Sequence, residues 1–120
     1  MYVFQVQLST SGRWFYADYA TFSIDSEYNN YTLRLSGYSG DAGDSLGLGH
    51  YGASFSTLDA DNDRASSHHC AKDYQAGWWF NVCLHACLTC RYAEDFKWIY
   101  LSSWQSHGPI RAARMMIKSK

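Results

Sequence analysis

The residues best suited to chemistry lie in one run, from Phe55 to Tyr92. Its first part, FSTLDADND, places Asp59, Asp61, Asn62 and Asp63 within five positions. Carboxylates two apart converge on a hard cation when the backbone turns between them, and calcium takes roughly six to eight oxygens at flexible geometry. An EF-hand is excluded by count. With Asp59 as its first position, Arg64 falls where glycine is needed and Cys70 where the bidentate glutamate belongs. The plain alternative is a solvated turn, which Asp and Asn favour anyway.

Cys70, Cys83, Cys87 and Cys90 come next, with His68, His69 and His85 among them. Four cysteines in so short a chain fit either an oxidising compartment or a metal site. Zinc could draw N/S ligands from this set, but no tight Cys-x2-Cys knuckle flanks each side of the interval between Cys70 and Cys83. The spacing Cys83-x3-Cys87-x2-Cys90 matches a three-thiolate iron–sulfur site, yet that fold needs a much longer chain with the motif near its start. Otherwise Cys87 and Cys90 read as a local disulfide or two free thiols. His107 has no Ser or Cys partner at a recognisable spacing, and no carboxylate pair is placed for acid–base work, so the chain reads as a non-enzyme. Trp78 and Trp79 read as core aromatics rather than a stacking platform. Asn30-Tyr31-Thr32 is a glycosylation sequon, meaningful if the chain enters the secretory route.

These groups need a scaffold, and 120 residues supply one domain with a modest core. Ten basic residues against 11 acidic give no field to draw in nucleic acid or an anionic membrane. No apolar run approaches spanning length, and the opening MYVFQVQLS lacks the charged start and apolar core of a signal peptide. Phe4, Val6 and Leu8 alternate with Gln5 and Gln7, which predicts a half-buried strand. Ser11-Gly12 turns the chain into a second strand from Trp14 to Ile24, and Tyr31, Leu33 and Leu35 mark a third. The glycine-rich passage Gly37–Gly52 has no Lys-Ser/Thr after its last glycine, so it is not a phosphate cradle. It reads as loop, with one helical turn at Asp41–Leu46. Trp98–Leu101 and Ile110–Ile117 read as closing strands. The class is α+β: mostly antiparallel β and loop-rich, with a central sheet region at about 1–54 and a second subdomain at about 55–120.

In order, YTLRLSGYSGDAGDSLG, FSTLDADND, CA and GWWFNVC resemble the fibrinogen C-terminal-like domain, over about Gln7 to Lys118. The resemblance implies a secreted, disulfide- and calcium-stabilised recognition module, often oligomeric, that binds carbohydrates, acetylated groups or extracellular proteins. It implies one calcium held by the side chains of Asp61 and Asp63 and by backbone carbonyls near Ala65 and Ser67. It implies a disulfide between Cys70 and Cys83 and a cis peptide entering Cys70 from His69. The acetyl-group pocket of such domains maps onto Tyr74, Leu84 and Phe96. Here the chain departs from the pattern. Leu84 stands where histidine is usual, His85 is displaced by one, and ACLTC (Ala86 to Cys90) replaces SNLNG. A fibrinogen-like protein-interaction or matrix module with a decayed sugar pocket is therefore the second reading, and a zinc module the third. Complete family domains begin with a further subdomain, which predicts uncovered apolar surface near Phe4, Val6 and Trp14 and a tendency to form homo-oligomers.

Overall fold

The computed structural model describes residues 2–10, 12–92, 95–102 and 110–120. Three long strands come first: β1 (Tyr2–Ser9), β2 (Trp14–Ile24) and β3 (Leu33–Gly40). Short pieces come after them: α1 (Ser45–His50), α2 (Cys70–Tyr74), β4 (Ala86–Cys87), β5 (Lys97–Trp98) and α3 (Ile99–Ser102). The strand β6 (Ala112–Ser119) closes the chain, and the long strands form one antiparallel sheet in the order β3-β2-β1-β6. β4 and β5 pair separately. β6 lies in the stretch read as second subdomain, yet it pairs with β1 from Tyr2↔Ser119 to Ser9↔Ala112. The division near residue 54 therefore does not separate β6 from the sheet.

A period of two puts alternate side chains on opposite faces. Phe4, Val6 and Leu8 join Phe15, Ala17, Tyr19, Leu33 and Leu35 in the core, together with Trp78, Phe80 and Trp98. The other face carries a polar ladder across three strands. Arg114 donates to Gln7 Oε1 (3.1 Å), Gln7 Nε2 to Gln5 Oε1 (2.8 Å), and Gln5 Nε2 to Asp18 Oδ1 (2.7 Å). The predicted bare surface at Phe4, Val6 and Trp14 is absent. Phe4 and Val6 face the core at 5% and 0% exposure, and the Arg114 guanidinium lies over the half-buried Trp14 ring. Three exposed apolar side chains in a row, Met115, Met116 and Ile117, lie on β6.

Several element boundaries differ from those the sequence pattern predicts: β3 starts at Leu33, after the left-handed Tyr31, and the closing strand runs Ala112–Ser119 rather than Ile110–Ile117. The glycine-rich passage begins inside β3, because Gly37 and Gly40 adopt φ 73° and 126°, and a Cβ on Gly40 would meet the Tyr16 carbonyl. The helical turn lies at Ser45–His50 rather than Asp41–Leu46, because Asp44 caps it by accepting the Gly47 N–H at 2.8 Å. The Tyr19 hydroxyl donates to the same carboxylate (2.6 Å), which fixes α1 against β2. Burial, then the hydrogen bond to Asp44 and its charge, raises the Tyr19 pKa far above its ordinary value. Finally, Trp98 alone of Trp98–Leu101 is strand. Ile99 makes its backbone bond to His85 O (2.9 Å), then the chain coils into α3 with Tyr100 N on Ser45 Oγ (3.2 Å).

Candidate ion loop and recognition face

The segment after Phe55 is built from single bonds rather than ladders. Ser56 and Trp78 exchange backbone bonds at 3.0 and 3.2 Å, which lays the loop along the double tryptophan. Thr57 and Ala60 close a tight turn, and Asp59 sits within it, accepting the Thr57 hydroxyl at 2.6 Å. That hydrogen bond lowers the Asp59 pKa and commits the carboxylate to the turn. Asn62 turns inward, with its N–H on Ser56 Oγ (3.0 Å) and Nδ2 on Phe55 O (3.0 Å).

Asp61 and Asp63 differ from these and from each other. The half-buried Asp63 accepts the Ala65 N–H on Oδ1 (2.9 Å) and the Cys70 N–H on Oδ2 (2.8 Å), so one carboxylate ties the loop to the start of α2. The exposed Asp61 accepts only a long bond from Asp63 N, at 3.4 Å. Asp61 Oδ1 therefore lies near the Asp63 backbone N–H, at the same bend of the chain. Ala65 is buried, with its carbonyl accepting His68 N at 3.5 Å; Ser67 is exposed in the next turn. Arg64 turns away and donates to Gly52 O at 2.9 Å. The donors at the bend are oxygens only, a set that fits a hard cation. Among the described residues no group of three or more His, Cys, Asp or Glu side chains could hold a metal, so the fit for calcium rests on two carboxylates plus carbonyls.

All four sulfurs form disulfides, Cys70–Cys83 and Cys87–Cys90, each spanning 5.5 Å between Cα atoms. The zinc and iron–sulfur readings are thereby overturned, since neither metal has a thiolate to bind. The peptide entering Cys70 is trans, contrary to the expected cis geometry. His69 is extended there (φ −110°, ψ 92°), and in that conformation the Cys70 N–H reaches Asp63.

Sequence reasoning missed His50. Its fully buried ring holds three backbone groups: Nδ1 pairs with Trp79 O (2.7 Å), while Nε2 lies 3.0 Å from His85 N and 3.1 Å from Ala86 N. Two N–H groups aimed at Nε2 require an acceptor there, so the ring is neutral with its proton on Nδ1. Burial pushes its pKa down to about 4, and the neighbouring His85 pushes the same way. His50 therefore fixes the chain just after Cys83, from the end of α1. The only local signal is a histidine closing a short glycine-rich helix, and nothing in that pattern distinguishes a clamp from a surface residue. Asn81 adds a second tie, donating from Nδ2 to Gly49 O at 3.1 Å.

Tyr74, Leu84 and Phe96 are each half-buried against the core. Tyr74 stacks on Phe80 (6.1 Å between centroids), whereas Phe96 packs against Tyr92 (5.6 Å). The β4–β5 register, Ala86↔Trp98 and Cys87↔Lys97, sets Phe96 opposite Leu88. Leu84 lies before β4, beyond the other end of the pair. Trp78 is core at 1% exposure, and its indole N–H has no partner among the described residues. Trp79 is half-buried and donates to Tyr31 O at 3.0 Å. His107 lies outside the described residues.

The profile of the family described as "Fibrinogen beta and gamma chains, C-terminal globular domain" matches residues 1–120. The chain belongs to this fibrinogen C-terminal family. The fibrinogen-like globe domain of human ANGPTL2 superposes at a TM-score of 0.80 with 32% identity, over 98% of this chain and 57% of that one. Protein scabrous of Drosophila melanogaster is 38% identical over 104 residues, 85% of this chain and 12% of that protein. A techylectin-like protein of Phoneutria nigriventer is 38% identical over 93 residues, 77% of this chain and 41% of that protein. The chain thus spans well under half the length of these two relatives. Among the described residues no helix is long and apolar enough to cross a membrane. This chain carries the aspartate loop with the Cys70–Cys83 disulfide beside it, and the Cys87–Cys90 bridge closes the segment next to β4.

Proposed function

We propose that this chain is an extracellular recognition domain, not an enzyme. One calcium, held by Asp61, Asp63 and the carbonyls near Ala65 and Ser67, steadies a face that binds carbohydrate or acetylated ligands. The supporting observation is the wiring of Asp63. Its carboxylate bonds Cys70 N, and Cys70 is cross-linked to Cys83, the residue before Leu84. An ion at the Asp61–Asp63 bend would be one hydrogen bond and one disulfide from the recognition chain. When bound, calcium supplies positive charge that offsets the two carboxylates. Asp63 anchors the loop with or without it, and Asp61 completes the donor set. The relationship to a techylectin-like protein favours this reading.

A second reading, a protein-interaction or matrix module without a sugar pocket, draws on the other wall. Leu84 offers no donor, Phe96 is committed to Tyr92, and the Cys87–Cys90 bridge fixes the chain between them. A glycan array probed in calcium, in chelator and with free acetate separates the two. The lectin reading requires spots that chelator or acetate abolishes. A blank array in calcium, from protein with an intact calcium-dependent melting curve, favours the interaction module.

A further inference from the structure

The connection between β2 and β3 holds the most exposed large apolar side chain among the described residues, Tyr28, at 92%. It lies in the 3-10 turn Glu27–Asn29, which buries no residue, and its ring has no aromatic or cationic partner among the described residues. A single exposed tyrosine is ordinary. The reversal of the chain beside this one is not. It runs through a Schellman-type cap, with Tyr31 N on Ser26 O (3.1 Å), Asn30 N on Glu27 O (3.0 Å) and Asn30 left-handed at φ 52°. Asn30 is exposed, and its backbone is fully used because its carbonyl also accepts Phe55 N at 2.8 Å. Its side-chain carboxamide has no hydrogen bond among the described residues. Thr32, two residues on, anchors the turn through Oγ1 on Asn29 O (2.8 Å). Tyr28 and Thr32 therefore flank a free carboxamide at offsets of two on either side.

We propose that Asn30 carries an N-linked oligosaccharide whose first N-acetylglucosamine rests on the ring of Tyr28. The apolar C–H face of a sugar suits a tyrosine ring, which offers a flat apolar surface beside a polar edge. In the transfer, Asn30 Nδ2 bonds to the anomeric carbon of an oligosaccharide carried on a polyprenyl pyrophosphate. The nitrogen gives up one proton, the anomeric C–O bond breaks, and the lipid pyrophosphate leaves. Nothing is oxidised or reduced, and no internal hydrogen bond is lost. The site rests on the extracellular reading only in needing passage through the secretory route.

The test supplies that route: the full chain, behind an added leader, is expressed in secretory eukaryotic cells and also translated into microsomes, where modification does not await folding. The intact mass should fall on treatment with peptide N-glycosidase. The glycan should be absent from Asn30→Asp, which tolerates the left-handed backbone, and from Thr32→Ala. Removing the glycan should lower Tm by a few degrees in the native chain and leave Tm unchanged in glycosylated Tyr28→Ala. An unmodified Asn30 from both systems overturns the site, and an equal Tm change in Tyr28→Ala overturns the role of the ring. Neither result bears on the calcium reading, which the melting curves in calcium and chelator decide.

Discussion

The sheet and the loop segment from Phe55 to Trp98 are stabilised in different ways. In the sheet, β1, β2 and β3 repeat one device, buried apolar side chains at alternate positions over long antiparallel backbone ladders, and β6 extends the ladder along β1. In the loop segment, few backbone bonds repeat, and individual atoms each hold several others. Asp63 holds two N–H groups, His50 holds three backbone groups, and two disulfides close the chain. Redundancy makes the sheet tolerant, whereas its absence makes the loops sensitive at a few named positions and readily coupled to a ligand there.

The largest effect that sharpens this contrast comes from opening the Cys70–Cys83 bridge with paired serine substitutions. By loop length the loss is about 3 kcal/mol. Hydrogen exchange should show amides of residues 60–85 losing protection while the β1–β2 amides keep theirs; uniform loss would merge the two regions into one cooperative unit. Next comes acid. Unfolded His50 protonates near its ordinary pKa of 6.5, but the folded ring resists until about 4. The unfolded state therefore binds the extra proton in this window. His50's contribution is intact above pH 6.5, shrinks as pH falls, and is gone near pH 4, a swing of about 3 kcal/mol. The difference in melting between the native chain and His50→Gln should narrow over that range. A difference constant with pH would show that the ring does not titrate as its burial requires. The smallest effect belongs to the outer ladder. Gln7→Ala removes two half-exposed hydrogen bonds and should cost no more than about 1 kcal/mol by denaturant melting.

The same contrast explains what sequence can and cannot supply. Alternation in VFQVQL and YTLRL reflects the physics of a one-sided sheet, so β1 and β3 can be read directly, whereas β6 lacks that alternation and is exposed along most of its length. The loop elements have no periodicity. The aspartate pair and the Cys70–Cys83 bridge are legible only through motif resemblance, and the short helices are misplaced or unseen. Trp98–Leu101 reads as strand by its apolar residues, but from Ile99 the chain coils into α3, with Tyr100 N on Ser45 Oγ. His50 and Asn81 act through backbone groups about thirty residues away, as with Asn81 and Gly49, and side-chain identity does not advertise such contacts. The uncovered surface expected near Phe4, Val6 and Trp14 comes from the resemblance alone, whereas alternation by itself already turns Phe4 and Val6 into the core.

Asp61 and Asp63 provide the most direct measurement of the account, because the structure assigns them different work. Melting curves of the native chain, Asp61→Ala and Asp63→Ala should be recorded in calcium and in chelator. Calcium should raise the native Tm. Asp61→Ala should match the native chain in chelator yet gain nothing from calcium, while Asp63→Ala should fall by about 2 kcal/mol even in chelator, having lost two backbone N–H partners. A native melting curve that is the same in calcium and chelator would contradict the central claim.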